Sequence, residues 1–204
     1  MSDTASWAER HAAAAMAWDT TPNPFVVAAC RKLRPGRALD LGAGEGANSV
    51  WLAGRGWQVT AIDSGTVEVG RIQSHSALLN HPVDAIVGDA VGYRPHPASF
   101  DLILLSYLQL PVPPLRLAFQ HVVPGLAPGG RILVIAHDAS NLDRGWGGPR
   151  DPNLLTTPEV VAGLLADLGL VVRRAEVVRR EVRTEVGFHV ALDHVVEALA
   201  PSAG

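Results

Sequence analysis

The chain has 204 residues, which suits one domain with a sizeable core. Its net charge of -3 argues against nucleic-acid binding through the phosphates. Such binding needs clustered Lys and Arg, and only the arginine pairs at 173–174 and 179–180 resemble a basic cluster. The single cysteine, Cys30, excludes an intrachain disulfide and favours the cytoplasm, and no apolar run reaches the ~18 residues that a membrane span needs.

The beginning of the chain has a helical pattern. We predict one helix over about 5–17 and a second from Pro22 to about 33, and we expect both to form a helical N-terminal cap over 1–36. From residue 37 onward, short apolar segments alternate with helical ones. The five predicted strands cover 37–41, 58–62, 83–87, 100–105 and 131–136. Thr157 and Pro158 have the residue types of a helix N-cap and first turn, and that helix should end at Gly169.

Two further strand-like segments, about 170–178 and 181–192, are close enough in sequence to predict an antiparallel hairpin at one edge of the sheet. Strands separated by helices indicate right-handed βαβ units. The sequence therefore predicts one domain over 1–204 with an α/β core over 37–204. That core should be a Rossmann-like, doubly wound, seven-stranded sheet, mostly parallel with an antiparallel last strand.

The loop GAGEGA follows the first predicted strand and matches two cofactor templates. Gly42, Gly44 and Ala47 fit the G-x-G-x-x-G/A fingerprint of dinucleotide-binding proteins. Gly42, Gly44 and Gly46 fit the looser G-x-G-x-G of enzymes that bind a methyl donor. In either case the glycines let a ligand approach the backbone at a helix N-terminus. The glycines alone leave both cofactors open.

Acidic residues around this loop favour one of the two cofactors. Asp40 and Glu45 would both lie near the pyrophosphate of a dinucleotide, where like charges repel. S-adenosylmethionine carries no phosphate and presents an ammonium, a sulfonium and a carboxylate. We therefore expect Asp40 to face the cation and the helix N-terminus near Gly46 and Asn48 to receive the carboxylate.

Two more acids follow the next strands. Asp63, at the end of the second strand, suits the ribose hydroxyls of either cofactor, and Asp89, after the third, suits the amine of adenine. The predicted cofactor site comprises Asp40, Gly42, Ala43, Gly44, Gly46, Asn48, Asp63, Ser64, Asp89, Ala90 and Ser106.

These segments together resemble the class I S-adenosylmethionine-dependent methyltransferases over about 37–178. The segments that carry the resemblance are ALDLGAGEG, VTAID, VGDA, FDLILLSYLQL and LAPGGRILV. Within that family, EGANSVWLAGRGWQVTAID is most similar to the small tellurite-resistance-type and thiopurine-type branch, in which a short N-terminal region folds over the cofactor. The resemblance implies methyl transfer from a sulfonium to a nucleophile at the carboxyl ends of the strands.

The segment LSYLQ after the fourth strand bears on the acceptor. It lacks the Asn/Asp-Pro-Pro-aromatic motif of adenine amino-methyltransferases, and Cys30 lies too early in the chain for cytosine chemistry. We therefore expect a small-molecule acceptor, reacting at oxygen, sulfur, nitrogen or a metalloid, with no nucleic-acid or membrane partner, in a monomer or homodimer. A nicotinamide-dependent reductase and a non-catalytic cofactor-binding protein remain as alternatives.

His137, directly after the fifth strand, is the candidate general base. Histidine titrates near neutral pH, and Asp138 or Asp143 could orient the ring. A histidine that only hydrogen-bonds the neighbouring loop fits the same position equally well. Tyr107, next to Ser106, is a candidate acceptor contact.

The loop from 140 to 153 is longer than a passive connection requires. Trp146 within it and Trp18 near the start are predicted to form walls of the acceptor site. The loop has no spaced carboxylate cluster, so no metal site is predicted.

The segment FHVALDHVV contains His189, Asp193 and His194, whose side chains could bind a metal. Strand alternation puts His189 and His194 on opposite faces, so we interpret all three as residues of an edge strand.

Overall fold

A computed structural model describes residues 21–202, which form one seven-stranded sheet flanked by helices. The strands are β1 (Arg37–Leu41), β2 (Gln58–Asp63), β3 (Val83–Val87), β4 (Phe100–Ser106), β5 (Leu126–His137), β6 (Val171–Thr184) and β7 (Gly187–Leu199). The helices are α1 (Pro24–Cys30), α2 (Ala47–Gly54), α3 (Thr66–Leu79), α4 (Val112–Val122), α5 (Asn141–Arg144) and α6 (Pro158–Ala166). The predicted helix over 5–17 and Trp18 lie outside the described residues.

The strand order is β3-β2-β1-β4-β5-β7-β6. β1 pairs in parallel with β2 and β4, and the β2–β3 and β4–β5 pairs are also parallel. β7 runs antiparallel to both of its neighbours, β5 and β6. The predicted fold class, a Rossmann-like sheet of seven strands with an antiparallel last strand, is therefore confirmed.

Helix starts follow the local chemistry of the sequence. The hydroxyl of Thr157 accepts a hydrogen bond from Val160 N at 3.4 Å, and Pro158 occupies the first turn of α6, as predicted. Asn23 caps α1, because its Oδ1 accepts from Phe25 N at 2.8 Å.

Several predicted boundaries are wrong: α6 ends at Ala166 rather than Gly169, and β7 extends to Leu199 rather than 192. β5 begins at Leu126 rather than 131, because Leu126 pairs with Phe100 before a register shift, so that the segment 126–130 also belongs to the strand. The hairpin turns at 185–186, between Thr184 and Gly187, rather than near 179–180. The arginines there belong to β6, whose position at the sheet edge tolerates charged side chains.

The interpretation of Asp193 and His194 as edge-strand residues is also wrong. The hairpin inserts its second strand, β7, beside β5, and leaves β6 at the edge. Both side chains are consequently fully buried, with Asp193 paired in register with His137.

Apolar side chains form a core on each face of the sheet. One cluster contains Phe119 of α4 and Val161 of α6, and the second contains Val26 and Cys30 of α1. These layers fix the strands and leave their carboxyl ends free to form a site. Within residues 21–202, no helix combines the length and the apolar character needed to cross a membrane.

Replacement of Phe119 tests the core on the α4 face. Phe119→Ala should lower the free energy of unfolding by about 3–5 kcal/mol, because the fully buried ring leaves a cavity that its neighbours cannot fill. Urea denaturation measures this change. Leu117→Ala, on the same helix but 42% exposed, is the matched control and should cost far less. Equal losses for the two variants would contradict the packing.

Candidate active site

A cavity of about 900 Å³ opens at the carboxyl ends of the strands. It is bounded by the loop after β1, the ends of β2, β4 and β5, and part of the 139–155 segment. The predicted site residues that line it are Gly42, Ala43, Gly44, Asp63, Ser64, Ser106, Tyr107 and His137. The topology thus brings together residues that are nearly 100 positions apart in sequence.

The glycine loop is held by backbone hydrogen bonds to β2. Gly42 N and Ala43 N donate to Ile62 O at 2.8 and 3.0 Å. Gly42 has φ +74°, and a Cβ there would lie 2.8 Å from Leu108 Cδ1. Only glycine allows both this conformation and this close approach to the segment after β4.

Asp63 binds the glycine loop and lines the cavity. Its Oδ2 accepts from Gly44 N at 2.8 Å and its Oδ1 from Gly65 N at 2.9 Å. A carboxylate has about four acceptor sites, so each oxygen can accept one further donor from a ligand.

Asp40 is fully buried behind the loop and does not line the cavity. Its Oδ2 accepts from Ser49 Oγ at 2.6 Å, whereas its Oδ1 has no hydrogen-bond partner among residues 21–202. Burial raises the pKa of Asp40 to about 6, against the opposing effect of the Ser49 hydrogen bond and with a smaller contribution from the charge of Asp63.

Gly46 and Asn48 lie at the start of α2, outside the cavity lining. Gly46 is the N-cap residue in a left-handed conformation. Asn48 Oδ1 accepts from Asn23 N at 2.8 Å and so connects α2 to the residue that caps α1.

Asp89 and Ala90 also lie outside the cavity lining. Asp89 is exposed, and its carboxylate accepts from Val91 N and Gly92 N at 3.0 and 3.1 Å, which stabilises the turn after β3. Ala90 packs in the core. The adenine contact expected for Asp89 stays a prediction.

His137 ends β5 and faces the cavity beside Tyr107, with their ring centroids 4.9 Å apart. Its Nδ1 lies 2.9 Å from Asp193 Oδ1. The neighbouring acid is therefore Asp193, and the sequence-based choice of Asp138 or Asp143 is wrong. Asp138 Oδ2 lies 3.8 Å from His194 Nδ1, and Asp143 is exposed on α5.

Asp193 is fully buried and is contacted by side chains from three other segments. Tyr107 Oη donates to its Oδ2 at 2.6 Å, and Arg180 Nε donates to the same oxygen at 2.7 Å. Burial alone would raise the pKa of Asp193, but the contacts with His137, Arg180 and Tyr107 outweigh burial and hold that pKa below its ordinary value. Asp193 is thus an anion at neutral pH.

Tyr107 acts as a hydrogen-bond donor in this cluster. Burial, and then the charge of Asp193, raise the pKa of its hydroxyl far above the usual range, so the hydroxyl keeps its proton. The backbone of Tyr107 has φ +59°, an uncommon conformation for a bulky residue that is often found at functional sites. The guanidinium of Arg180 lies 5.5 Å from the centroid of the Tyr107 ring.

The segment after β5 packs directly on His137. A Cβ at Gly148, which has φ +77°, would lie 2.9 Å from His137 Cδ2, so glycine is required for this contact. Asn141 fixes the segment to β7: its Nδ2 donates to Gly147 O at 2.9 Å, and its Oδ1 accepts from Leu192 N at 2.7 Å.

Trp146 does not line the cavity. Its ring stacks on His189 of β7 with centroids 4.7 Å apart, and the residue is 43% exposed. Trp18, the opposite wall predicted from the sequence, is outside the described residues. Across residues 21–202, no group of three or more His, Cys, Asp or Glu side chains is arranged to hold a metal ion.

Sequence reasoning missed Asp193 and Arg180. The signal available for Asp193 was an acid within the apolar run VALDHVV, since a charge inside a buried strand requires partners. Because we interpreted this segment as an edge strand, we treated Asp193 as exposed and predicted no partners for its charge.

Comparison with known proteins finds methyltransferase sequences similar to part of the chain. Residues 38–130 match the sequence model of a family described as a methyltransferase domain. The chain is 35% identical over 129 residues to a protein-L-isoaspartate O-methyltransferase from Bordetella petrii, an alignment that covers 60% of this chain and 45% of that protein. The chain thus spans about half the length of the curated relatives it matches.

Solved structures share the fold. A SAM-dependent methyltransferase from Methanosarcina mazei superposes with a TM-score of 0.68 at 18% identity, over 90% of this chain and 100% of the other. TehB from Haemophilus influenzae gives a TM-score of 0.72 at 18% identity, over 87% of this chain and 62% of the other. The chain therefore shares the fold of these proteins, and the residues that match the methyltransferase-domain model include the glycine loop.

Proposed function

We propose that this protein transfers a methyl group from S-adenosylmethionine to a small-molecule acceptor, with His137 as the general base. One observation carries the proposal: a single cavity joins the glycine loop and Asp63 at one side to His137 at the other. A volume of about 900 Å³ is at the upper end of the range for small-ligand sites, which leaves room for an acceptor beside the donor.

The residues near the glycine loop fit S-adenosylmethionine. Asp63 can accept hydrogen bonds from a ribose diol while it keeps its bonds from Gly44 N of the glycine loop and from Gly65 N. The unpartnered Oδ1 of the buried Asp40 suits a positively charged ligand, which would favour its ionised form. The N-terminus of α2 offers unpaired N–H groups and a positive dipole end to a carboxylate.

When bound, S-adenosylmethionine supplies a methyl group that is already activated by a positively charged sulfur. The chain therefore has to align the acceptor, exclude water and remove a proton where the acceptor carries one. His137 borders the cavity and can take that proton. Tyr107, Leu108 and Leu154 supply part of an acceptor wall.

Calorimetry with S-adenosylhomocysteine and with NADPH tests the choice of cofactor. We expect binding of the first and none of the second; the reverse result would make the protein a nicotinamide-dependent enzyme. A methylation assay should then include hydroxyl, thiol, amine and metalloid compounds, with an isoaspartyl peptide because the curated relatives are named for that substrate. A protein that binds the donor product and methylates nothing would be a non-catalytic binding protein. The cytoplasmic location suggested by the single cysteine stays a prediction.

Asp40→Asn should stabilise the ligand-free protein while it weakens donor binding. Because the pKa is raised in the folded state to about 6 from an ordinary 3.8, the folded carboxyl holds its proton longer, and stability falls as pH rises from about 4 to 6. At pH 7.5 the variant should be more stable by roughly 3 kcal/mol, since a difference of one in pKa corresponds to about 1.36 kcal/mol. Urea unfolding at pH 3.5 and 7.5 measures this: the difference should be near zero at the lower pH. A pH-independent difference would contradict burial of the charge.

Asp63→Ala should weaken S-adenosylhomocysteine binding by roughly 1.5–3 kcal/mol, the range for lost charge-assisted hydrogen bonds. Calorimetry gives the affinity and thermal unfolding reports the state of the glycine loop. Asp84→Ala, an exposed acid on the adjacent strand, is the matched control and should retain the affinity. A loss of stability with unchanged affinity would make Asp63 a loop-supporting residue only.

His137→Ala should reduce turnover by roughly 10²–10⁴-fold, because a general base is lost, while affinity for S-adenosylhomocysteine stays the same. His96→Ala removes an exposed histidine outside the cavity and serves as the control. Full activity of the His137 variant would show that His137 is not a general base and that the protein acts only by aligning the acceptor with the methyl group.

A further inference from the structure

If the proposed function is correct, the contacts of Asp193 limit the chemical classes of acceptor that the site would methylate. We propose that Asp193 is the positioning residue that keeps His137 in the tautomer with a free Nε2. We further propose that the acceptor is a phenol-type hydroxyl, which must lose its proton during transfer.

The tautomer follows from which atoms face each other. Asp193 Oδ2 already accepts from Tyr107 Oη and Arg180 Nε, and Asp193 Oδ1 lies 2.9 Å from His137 Nδ1. The two atoms are not aligned for a hydrogen bond, but an unprotonated Nδ1 at this distance would face the carboxylate oxygen lone pair to lone pair, so a proton on Nδ1 is favoured. In the neutral ring Nε2 then has the free lone pair. His137 Nε2 makes no hydrogen bond to the part of the chain that the structure describes, and the ring borders the cavity.

Arg180 and Tyr107 stabilise the orientation of the Asp193 carboxylate toward His137. Arg180 carries a permanent positive charge, and its hydrogen bond favours the ionised form of Asp193. Both donors bind Oδ2, which leaves Oδ1 for the imidazole. A neutral Asp193 could itself donate to Nδ1 and would place the other tautomer in the cavity. The charged pair therefore selects the ring form that can act as a base.

A general base such as His137, held by Asp193, assists methyl transfer only when the acceptor atom carries a proton at neutral pH. Carboxylates, thiolates and metalloid anions already present a free lone pair and need none. A phenolic hydroxyl, with a pKa of about 10, is within a few units of an imidazole, so proton transfer to His137 is feasible during attack. Apolar walls suit an aromatic ring, and Tyr107, Leu108, Pro149 and Leu154 line the same cavity as His137.

The step balances without any further reactant. The acceptor oxygen forms a bond to the methyl carbon as the methyl–sulfur bond breaks, and the electron pair of that bond stays on sulfur. The hydroxyl proton passes to His137 Nε2, and the imidazolium, stabilised by Asp193, then releases a proton to water. The products are an aryl methyl ether and a neutral thioether, and nothing is oxidised or reduced.

The tautomer can be measured on the ligand-free chain, independently of any activity. In protein labelled with 15N-histidine, the His137 ring signals are assigned by their absence in His137→Gln. We expect the neutral His137 ring to be protonated at Nδ1, against the usual preference of histidine for Nε2. Asp193→Asn should reduce that population, and Asp143→Asn, an exposed acid on α5, should leave it unchanged. A wild-type His137 protonated at Nε2 would overturn the role of Asp193, whether or not the Asn variant folds.

The acceptor class is tested with phenols of graded acidity, from 4-methoxyphenol to pentafluorophenol, together with thiophenol and an isoaspartyl peptide. Asp193→Asn should slow methylation of the weakly acidic phenols by about 10²-fold, and the loss should shrink to a few-fold for acceptors that are already ionised. A uniform loss across the series, or methylation of the thiol or carboxyl compound but of no phenol, would overturn the inference. Retained S-adenosylhomocysteine binding would leave the proposed function intact in that case, whereas absence of binding would refute the proposed function itself.

Discussion

A carboxylate without exposed surface is tolerated only where donors surround it, and Asp193 meets that condition with side chains from three other segments. Tyr107 follows β4, His137 ends β5 and Arg180 belongs to β6, while Asp193 itself is on β7. Because the donors have to converge on one group, their convergence fixes the ends of these strands relative to one another. Loss of any one donor would leave a buried charge less well compensated, so we regard the cluster as the constraint that defines the His137 end of the cavity.

The strand order creates this cluster. β7 lies between β5 and β6, and its pairing with β5 ends at the His137–Asp193 pair. Beyond that pair, β6 and β7 continue as a two-stranded hairpin, and Asn141 joins the segment after β5 to the backbone of β7. The antiparallel strand thus supplies the histidine with its acid and also anchors the segment that covers the histidine. A parallel sheet that ended at β5 would leave His137 without a carboxylate partner.

The first half of the fold could be predicted closely from the sequence, because each buried strand is a short apolar run bounded by glycine, proline or an acid. The glycine loop and Asp63 also met at one cavity as expected, since the carboxyl ends of neighbouring parallel strands share one edge. The partner of His137 could not be predicted in this way. Asp193 is 56 positions away, and its proximity depends on the order of the last two strands, which local pattern does not encode. The charged pair Arg179–Arg180 added to the difficulty, because it resembled a break in what is one continuous strand.

Two fully buried acids, Asp40 and Asp193, illustrate how partners rather than burial decide the state of a carboxyl. Asp193 accepts two hydrogen bonds at Oδ2, lies 2.9 Å from His137 Nδ1 through Oδ1, and has a pKa below its ordinary value, so its charge is compensated within the protein. Asp40 has one donor, Ser49, an unpartnered Oδ1 within the described chain, and a pKa raised to about 6. The first arrangement suits a permanent part of the catalytic framework. The second suits a carboxyl that binds a positively charged ligand. The ligand's charge would lower the pKa of Asp40 and offset the free-energy cost of its buried charge, and this gain would contribute to binding. If the proposed function is correct, the same residue type would support the acceptor side through Asp193 and contribute to donor binding through Asp40.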